Sequence, residues 1–135
     1  MSDRARLVET FIGHWAGGMA EFHAAVREVF TSETVWENVG YSTTVGAEAA
    51  IDHLRDGADR LQYDKVLVDM LHIAEAGNCV MTERVDHHYD RDGKLLFSIR
   101  AASVFELADG RITALREYFD TAPLVALRDA GARAT

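Results

Sequence analysis

The sequence contains a single cysteine, Cys79, so an intramolecular disulfide is excluded and a reducing compartment is compatible with the chain. No apolar run approaches the roughly 18 to 20 residues that a membrane-spanning helix requires. Positive charge is scarce: 14 Lys and Arg stand against 22 Asp and Glu, for a formal net charge of -8. With no Lys/Arg stripe, neither nucleic acid nor an anionic membrane surface is an expected partner, and the acidity reads as a solubility feature. The one proline, Pro123, stands where a short terminal helix would begin, a place where its missing N–H is harmless. Linkers, internal repeats and low-complexity tracts are all missing, so the 135 residues read as one domain, 1–135, with enough length for one core. The first residues, Met1-Ser2-Asp3-Arg4-Ala5-Arg6, run into an amphipathic segment that carries charges, unlike a signal peptide. The expected location is the cytoplasm.

What is present is a helical pattern followed by a strand pattern. Leu7, Val8, Phe11, Ile12 and Trp15 recur at three- and four-residue steps, which predicts a first helix capped by Ser2 or Asp3 and ended by Gly17-Gly18. A second helix is expected from Met19 to about Phe30, with Phe22 and Val26 on its apolar stripe. Thr34 to Val39 reads as a short strand that puts Trp36 and Asn38 on one face, and Gly40 to Thr44 as a loop. Gly46 precedes a third helix with Ile51 and Leu54 on its inner side. From Tyr63 onward the chain reads as long antiparallel strands, with Asp90-Arg91-Asp92-Gly93 and Asp109-Gly110 as hairpin turns. Helices segregated from an antiparallel run argue for an α+β fold rather than a wound parallel sheet. A curved sheet wrapped against helices would form a cone whose mouth suits a small-molecule pocket.

The strand Cys79 to His88 brings Arg84 and Asp86 out side by side on one face. By alternation alone such a pair reads first as a solvated ion pair of little energetic value and only second as a site. A final strand, Ile112 to Asp120, ends on another acid. If Asp120 folds back onto the Arg84/Asp86 face, two carboxylates would share one arginine as an acid/base pair. His87 and His88 are adjacent and point to opposite faces, so they cannot jointly chelate, and no metal site is expected.

Three segments, Val35-Trp36-Glu37-Asn38, Thr82-Glu83-Arg84-Val85-Asp86 and Leu115-Arg116-Glu117-Tyr118-Phe119-Asp120, resemble limonene-1,2-epoxide hydrolase and its relatives. That family lies within the nuclear-transport-factor-2-like (NTF2-like, SnoaL-like) superfamily, whose fold packs N-terminal helices on a curved, mixed or antiparallel sheet. The resemblance implies a cofactor-independent epoxide hydrolase that opens an apolar cyclic epoxide in one step to a vicinal diol. It implies Asp120 as the base that deprotonates water, Asp86 as the acid that protonates the epoxide oxygen, Arg84 between them, and Asn38 as a second partner of the water. Where the family has a tyrosine on the water, this chain has Trp36, whose indole donates but cannot accept.

Supplying an acid and a base together needs two carboxyls in opposite protonation states. A greasy substrate pocket is expected from Phe22, Trp36, Leu54, Met70, Phe97 and Ile99, with Tyr118 lining it beside Asp120. The resemblance also implies a homodimer through the sheet. The rival expectations are an isomerase or a polyketide or polyether cyclase of the ketosteroid-isomerase or SnoaL type, and a non-catalytic small-ligand-binding module.

Overall fold

The computed structural model describes residues 1–134, with side chains through 130. Three helices, α1 (Asp3–Gly13), α2 (Met19–Val29) and α3 (Ala47–Leu61), pack on a mixed sheet of six strands: β1 (Phe30–Asn38), β2 (Ser42–Val45), β3 (Lys65–Ala76), β4 (Cys79–Tyr89), β5 (Leu95–Ala108) and β6 (Arg111–Tyr118). A fourth helix, α4 (Ala122–Ala134), follows the last strand. The sheet order is β2-β1-β6-β5-β4-β3, with β1 and β6 parallel and every other pair antiparallel. This is the NTF2-like arrangement. No helix of the described residues is long and apolar enough to cross a membrane.

Local chemistry explains the boundaries. The Ser2 hydroxyl accepts from the Ala5 N–H and caps α1, and a 3₁₀ turn (His14–Gly17) carries the chain into α2. Phe30 leaves the helix with φ -84° and ψ 151° and begins β1, four residues before the strand expected from Thr34. The expected Gly40–Thr44 loop is instead a tight turn followed by β2, because Asn38 and Ser42 are cross-strand partners. Gly46 joins β2 to α3 at φ +92°, and a Cβ there would lie 2.8 Å from the Ser32 carbonyl oxygen. That contact fixes where α3 starts, and hence what its second turn faces.

Phe11, Trp15, Phe22 and Phe30 fill the space between the helices and the sheet, with Trp15 stacked on Phe22 at 4.8 Å and Phe11 edge-on to Phe105. Aromatic pairs of this kind contribute roughly 0.5–1.5 kcal/mol each beyond the area they bury. They also form one wall of a cavity that opens between the sheet and α3.

Candidate active site

On β4, residues 82, 84 and 86 face the helices, and all three are polar: Thr82, Arg84 and Asp86. Arg84 has no solvent exposure and is the largest side chain so withdrawn among the described residues. Each of its five N–H donors has a partner. Nε and Nη2 grip Asp86 in a bidentate fork at 3.0 and 2.9 Å, Nη1 donates to Thr82 Oγ1 at 3.0 Å and to Ser103 Oγ, and Nη2 also donates to Glu117 Oε1 at 3.4 Å. The guanidinium lies 5.3 Å from the Trp15 ring centroid, so the aromatic wall backs it as well.

The second carboxylate is therefore Glu117, and Asp120 is elsewhere. Asp120 lies beyond the end of β6, exposed, and accepts the Ala122 N–H at 3.1 Å at the entry to α4. The physical reason is a register shift. Leu107 pairs with Ile112 but Glu106 pairs with Ala114, so one residue of β6 is skipped and the inward face passes from Ile112 to Leu115 and Glu117. A one-residue slip exchanges the faces of everything after it. Tyr118 consequently points outward, 45% exposed, and does not line the cavity. Met70 is displaced from the expected lining too: β3 is covered by α1 and the 3₁₀ turn, and Met70 packs against the core there. Phe22, Trp36, Leu54, Phe97 and Ile99 do line the cavity, together with Asn38, Asp86 and Glu117.

The strand register shows how the sequence assembles this group. Asn38 is the partner of Glu117, Glu117 of Ser103, and Ser103 of Thr82, so four polar residues form one row across β1, β6, β5 and β4. Arg84 and Asp86 follow Thr82 along β4. The Thr82 and Ser103 hydroxyls are 3.0 Å apart and anchor the guanidinium from below. Neither hydroxyl stands out in the sequence, and the signal for Glu117 is the alternation Leu115-x-Glu117-x-Phe119, an acid between two inward apolar positions.

Electrostatics follows from burial. Desolvation raises the Glu117 pKa, the Arg84 charge opposes the rise, and the Asp86 charge adds to it. For Arg84, burial by itself would lower the pKa, but the charges of Glu117 and Asp86 and the bonds to them outweigh it, and the guanidinium stays charged. Burial first, and the Glu117 charge second, push the Tyr63 phenol up to about 12, which leaves a neutral hydroxyl. His88 stacks on Phe97 at 4.3 Å and is held neutral mainly by burial, whereas His87 faces out to Ser98 and Asp69. No three His, Cys, Asp or Glu side chains of the described residues are placed to hold a metal ion.

A glutamate whose folded pKa is raised binds its proton more tightly folded than unfolded. Its contribution to stability is complete below the unfolded glutamate pKa and is lost as pH rises through the folded one. Glu117→Gln, neutral at every pH, removes that dependence. In thermal melts the Tm of the variant relative to wild type is expected to rise as pH increases from the ordinary glutamate range of about 4.3. A difference that stays flat with pH would show that Glu117 titrates normally.

Residues 2–128 match the family model of the limonene-1,2-epoxide hydrolase catalytic domain. Epoxide hydrolase EphG of Mycobacterium tuberculosis is 36% identical over 88 residues, 65% of this chain and 56% of that protein, so the match spans little more than half of EphG. The solved structure of an M. tuberculosis epoxide hydrolase like limonene-1,2-epoxide hydrolase superposes with a TM-score of 0.71 at 30% identity, covering 97% of this chain and 92% of the other. A Shewanella denitrificans protein described as SnoaL-like polyketide cyclase-related superposes with a TM-score of 0.75 over 96% and 99% of the two chains at 11% identity, a likeness of fold alone.

Proposed function

The chain belongs to the limonene-1,2-epoxide hydrolase catalytic domain family, and from that premise we propose that it opens an apolar epoxide with water, Asp86 and Glu117 acting as acid and base on either side of Arg84. The observation that carries the proposal is the buried Asp86–Arg84–Glu117 unit, whose two carboxyls line a mostly apolar cavity. An ion group of this kind is expensive to bury. Its placement against open space, rather than inside a packed core, is what chemistry on a bound ligand requires.

The unit carries one positive and two negative formal charges, so a single shared proton makes it neutral. Arg84 touches both carboxyls and compensates whichever one is ionised. Asn38 is the cross-strand partner of Glu117, and the attacking water is assigned to these two side chains, both of which line the cavity. In the step proposed, the water oxygen forms a bond to one ring carbon while that carbon's bond to the ring oxygen breaks. Glu117 takes the water proton, Asp86 delivers its proton to the departing oxygen, and the product is a vicinal diol. Burial raises the Glu117 pKa, which makes its carboxylate a stronger base than that of an exposed glutamate.

The cavity measures about 150 Å³, comparable with an engineered apolar cavity that holds one benzene ring. Its polar groups are acids or neutral donors, and Arg84 is fully engaged, so an anionic substrate finds no free cation there. A compact, neutral, cyclic epoxide fits that description.

The test is incubation with small cycloalkene and terpene epoxides in ¹⁸O-labelled water. Diol carrying one label is the expected product. A cyclic ether without label would transfer the nucleophile's role to a substrate hydroxyl, and unchanged epoxide across the panel would remove the hydrolase reading.

A further inference from the structure

Asn38 is connected to the protein on the side away from Glu117. Its Nδ2–H donates to Ser42 Oγ at 3.1 Å, and Ser42 Oγ lies 3.3 Å from His53 Nε2. We propose that Ser42 and His53 are positioning residues that lock the Asn38 amide through this chain, leaving its carbonyl oxygen to accept a hydrogen bond from the attacking water. The inference rests on the epoxide-opening reading above and assigns that site two residues outside the acid/base unit.

The hydrogen-bond inventory gives the chain a direction. The amide nitrogen of Asn38 is a donor only, so Ser42 accepts from it, and the one proton of Ser42 remains for His53. Ser42 Oγ has lone pairs for two donors, and in the proposed chain it instead gives its proton to His53 Nε2, a bare acceptor there, which places the imidazole proton on Nδ1. Burial favours this neutral ring by lowering the His53 pKa, with the Asp56 charge opposing and the Arg60 charge assisting. With the Ser42 proton given to His53, rotating the Asn38 amide by a half-turn would set its oxygen against a hydroxyl oxygen that has no proton left to donate.

Three elements hold the chain in place. Ser42 is the register partner of Asn38 across the β1–β2 turn, which the Tyr41 N–H closes onto the Asn38 carbonyl at 2.9 Å. His53 comes from the second turn of α3, whose start is fixed by the close approach of Gly46 to Ser32. The imidazole lies edge-on to Trp36 at 5.3 Å and to Tyr41 at 6.3 Å, so neighbouring rings restrict its orientation. Trp36 Nε1 has no hydrogen-bond partner among the described residues, whereas the Asn38 amide beside it in the cavity lining is held by Ser42.

The test compares Ser42→Ala, His53→Leu and His53→Gln on cyclohexene oxide, with thermal melts of each variant. Ser42→Ala and His53→Leu are expected to lower kcat by about tenfold to a hundredfold, the usual loss when a partner that orients a functional group is removed, with KM and Tm close to wild type. His53→Gln keeps an acceptor near the Nε2 position and is expected to restore most of kcat. The Ser42→Ala/His53→Leu double variant should be no worse than either single one, because both cut the same chain. Undiminished kcat in His53→Leu, or equal loss in His53→Leu and His53→Gln, would overturn the proposal. Long-range ¹H–¹⁵N spectra of the wild type at neutral pH supply a substrate-free measurement. A ring protonated on Nδ1 supports the chain, and a ring protonated on Nε2 or on both nitrogens overturns it. If the wild type turned over no epoxide, the hydrolase reading would fail and the tautomer alone would decide the positioning role.

Discussion

Glu117→Gln is expected to lower kcat/KM for epoxide opening by about 10³-fold, within the range that a positioned acid or base contributes. Asp120→Asn is expected to leave it unchanged. The two acids stand three residues apart, and the structure separates them completely. Glu117 is buried, bonded to Arg84, aligned with Asn38 and part of the cavity lining. Asp120 is exposed and occupied with the Ala122 N–H at the start of α4. Asparagine serves that terminal position about as well as aspartate, so Asp120→Asn should also melt like wild type. Glu117→Gln preserves the shape of the side chain and keeps an oxygen for Arg84, and the loss expected of it is therefore chemical. Steady-state kinetics of both variants settles the matter, and an inactive Asp120→Asn beside an active Glu117→Gln would move the base to the end of the strand.

Arg84→Met should be the most destabilising of the substitutions considered. It leaves the negative charge that Asp86, 7% exposed, and Glu117 share in that buried unit with no cation to compensate it. Breaking a buried pair by removing one partner costs about 3–5 kcal/mol. That is a large fraction of the roughly 5–15 kcal/mol by which most domains are stable, so this variant is expected to be partly unfolded at 37 °C. Removing the stranded charge should return part of the loss, and the double variant Arg84→Met/Asp86→Asn is expected to be more stable than Arg84→Met. Urea unfolding of the three proteins provides the comparison. A double variant less stable than Arg84→Met would mean that packing around the guanidinium, rather than charge compensation, carries the effect.

Much of this site is visible in the sequence because strand alternation is local. Trp36 and Asn38 share a face, as do Arg84 and Asp86, and both pairs point inward as their spacing requires. Phe22, Leu54, Phe97 and Ile99 reach the cavity because each belongs to the apolar side of an element whose type was legible from its period. Alternation misleads at β6, where counting from Ile112 makes Arg116, Tyr118 and Asp120 the inward set. The skipped residue opposite Glu106 and Leu107 reverses the count, and nothing local in Ile112-Thr113-Ala114-Leu115 announces it. The inward place of Glu117 is enforced by pairing with β5 on one side and β1 on the other. Met70 was misplaced for a related reason: its strand was evident, but which helix covers that strand is a property of the packed layers.

The sequence by itself determined the elements other than β2, their order, the α+β class, and the presence of Arg84 and Asp86 on one strand face with Asn38 on another. These follow from periodicity, turn residues and spacing within a few positions of each other. Only the tertiary structure decided which second acid meets Arg84, that Thr82 and Ser103 hold its remaining donors, and that Ser42 and His53 stand behind Asn38. Those contacts join residues from β1, β2, α3, β4, β5 and β6. Their partners are fixed by inter-strand register and by the seating of a helix on the sheet, and both arise from pairing between segments far apart in the chain.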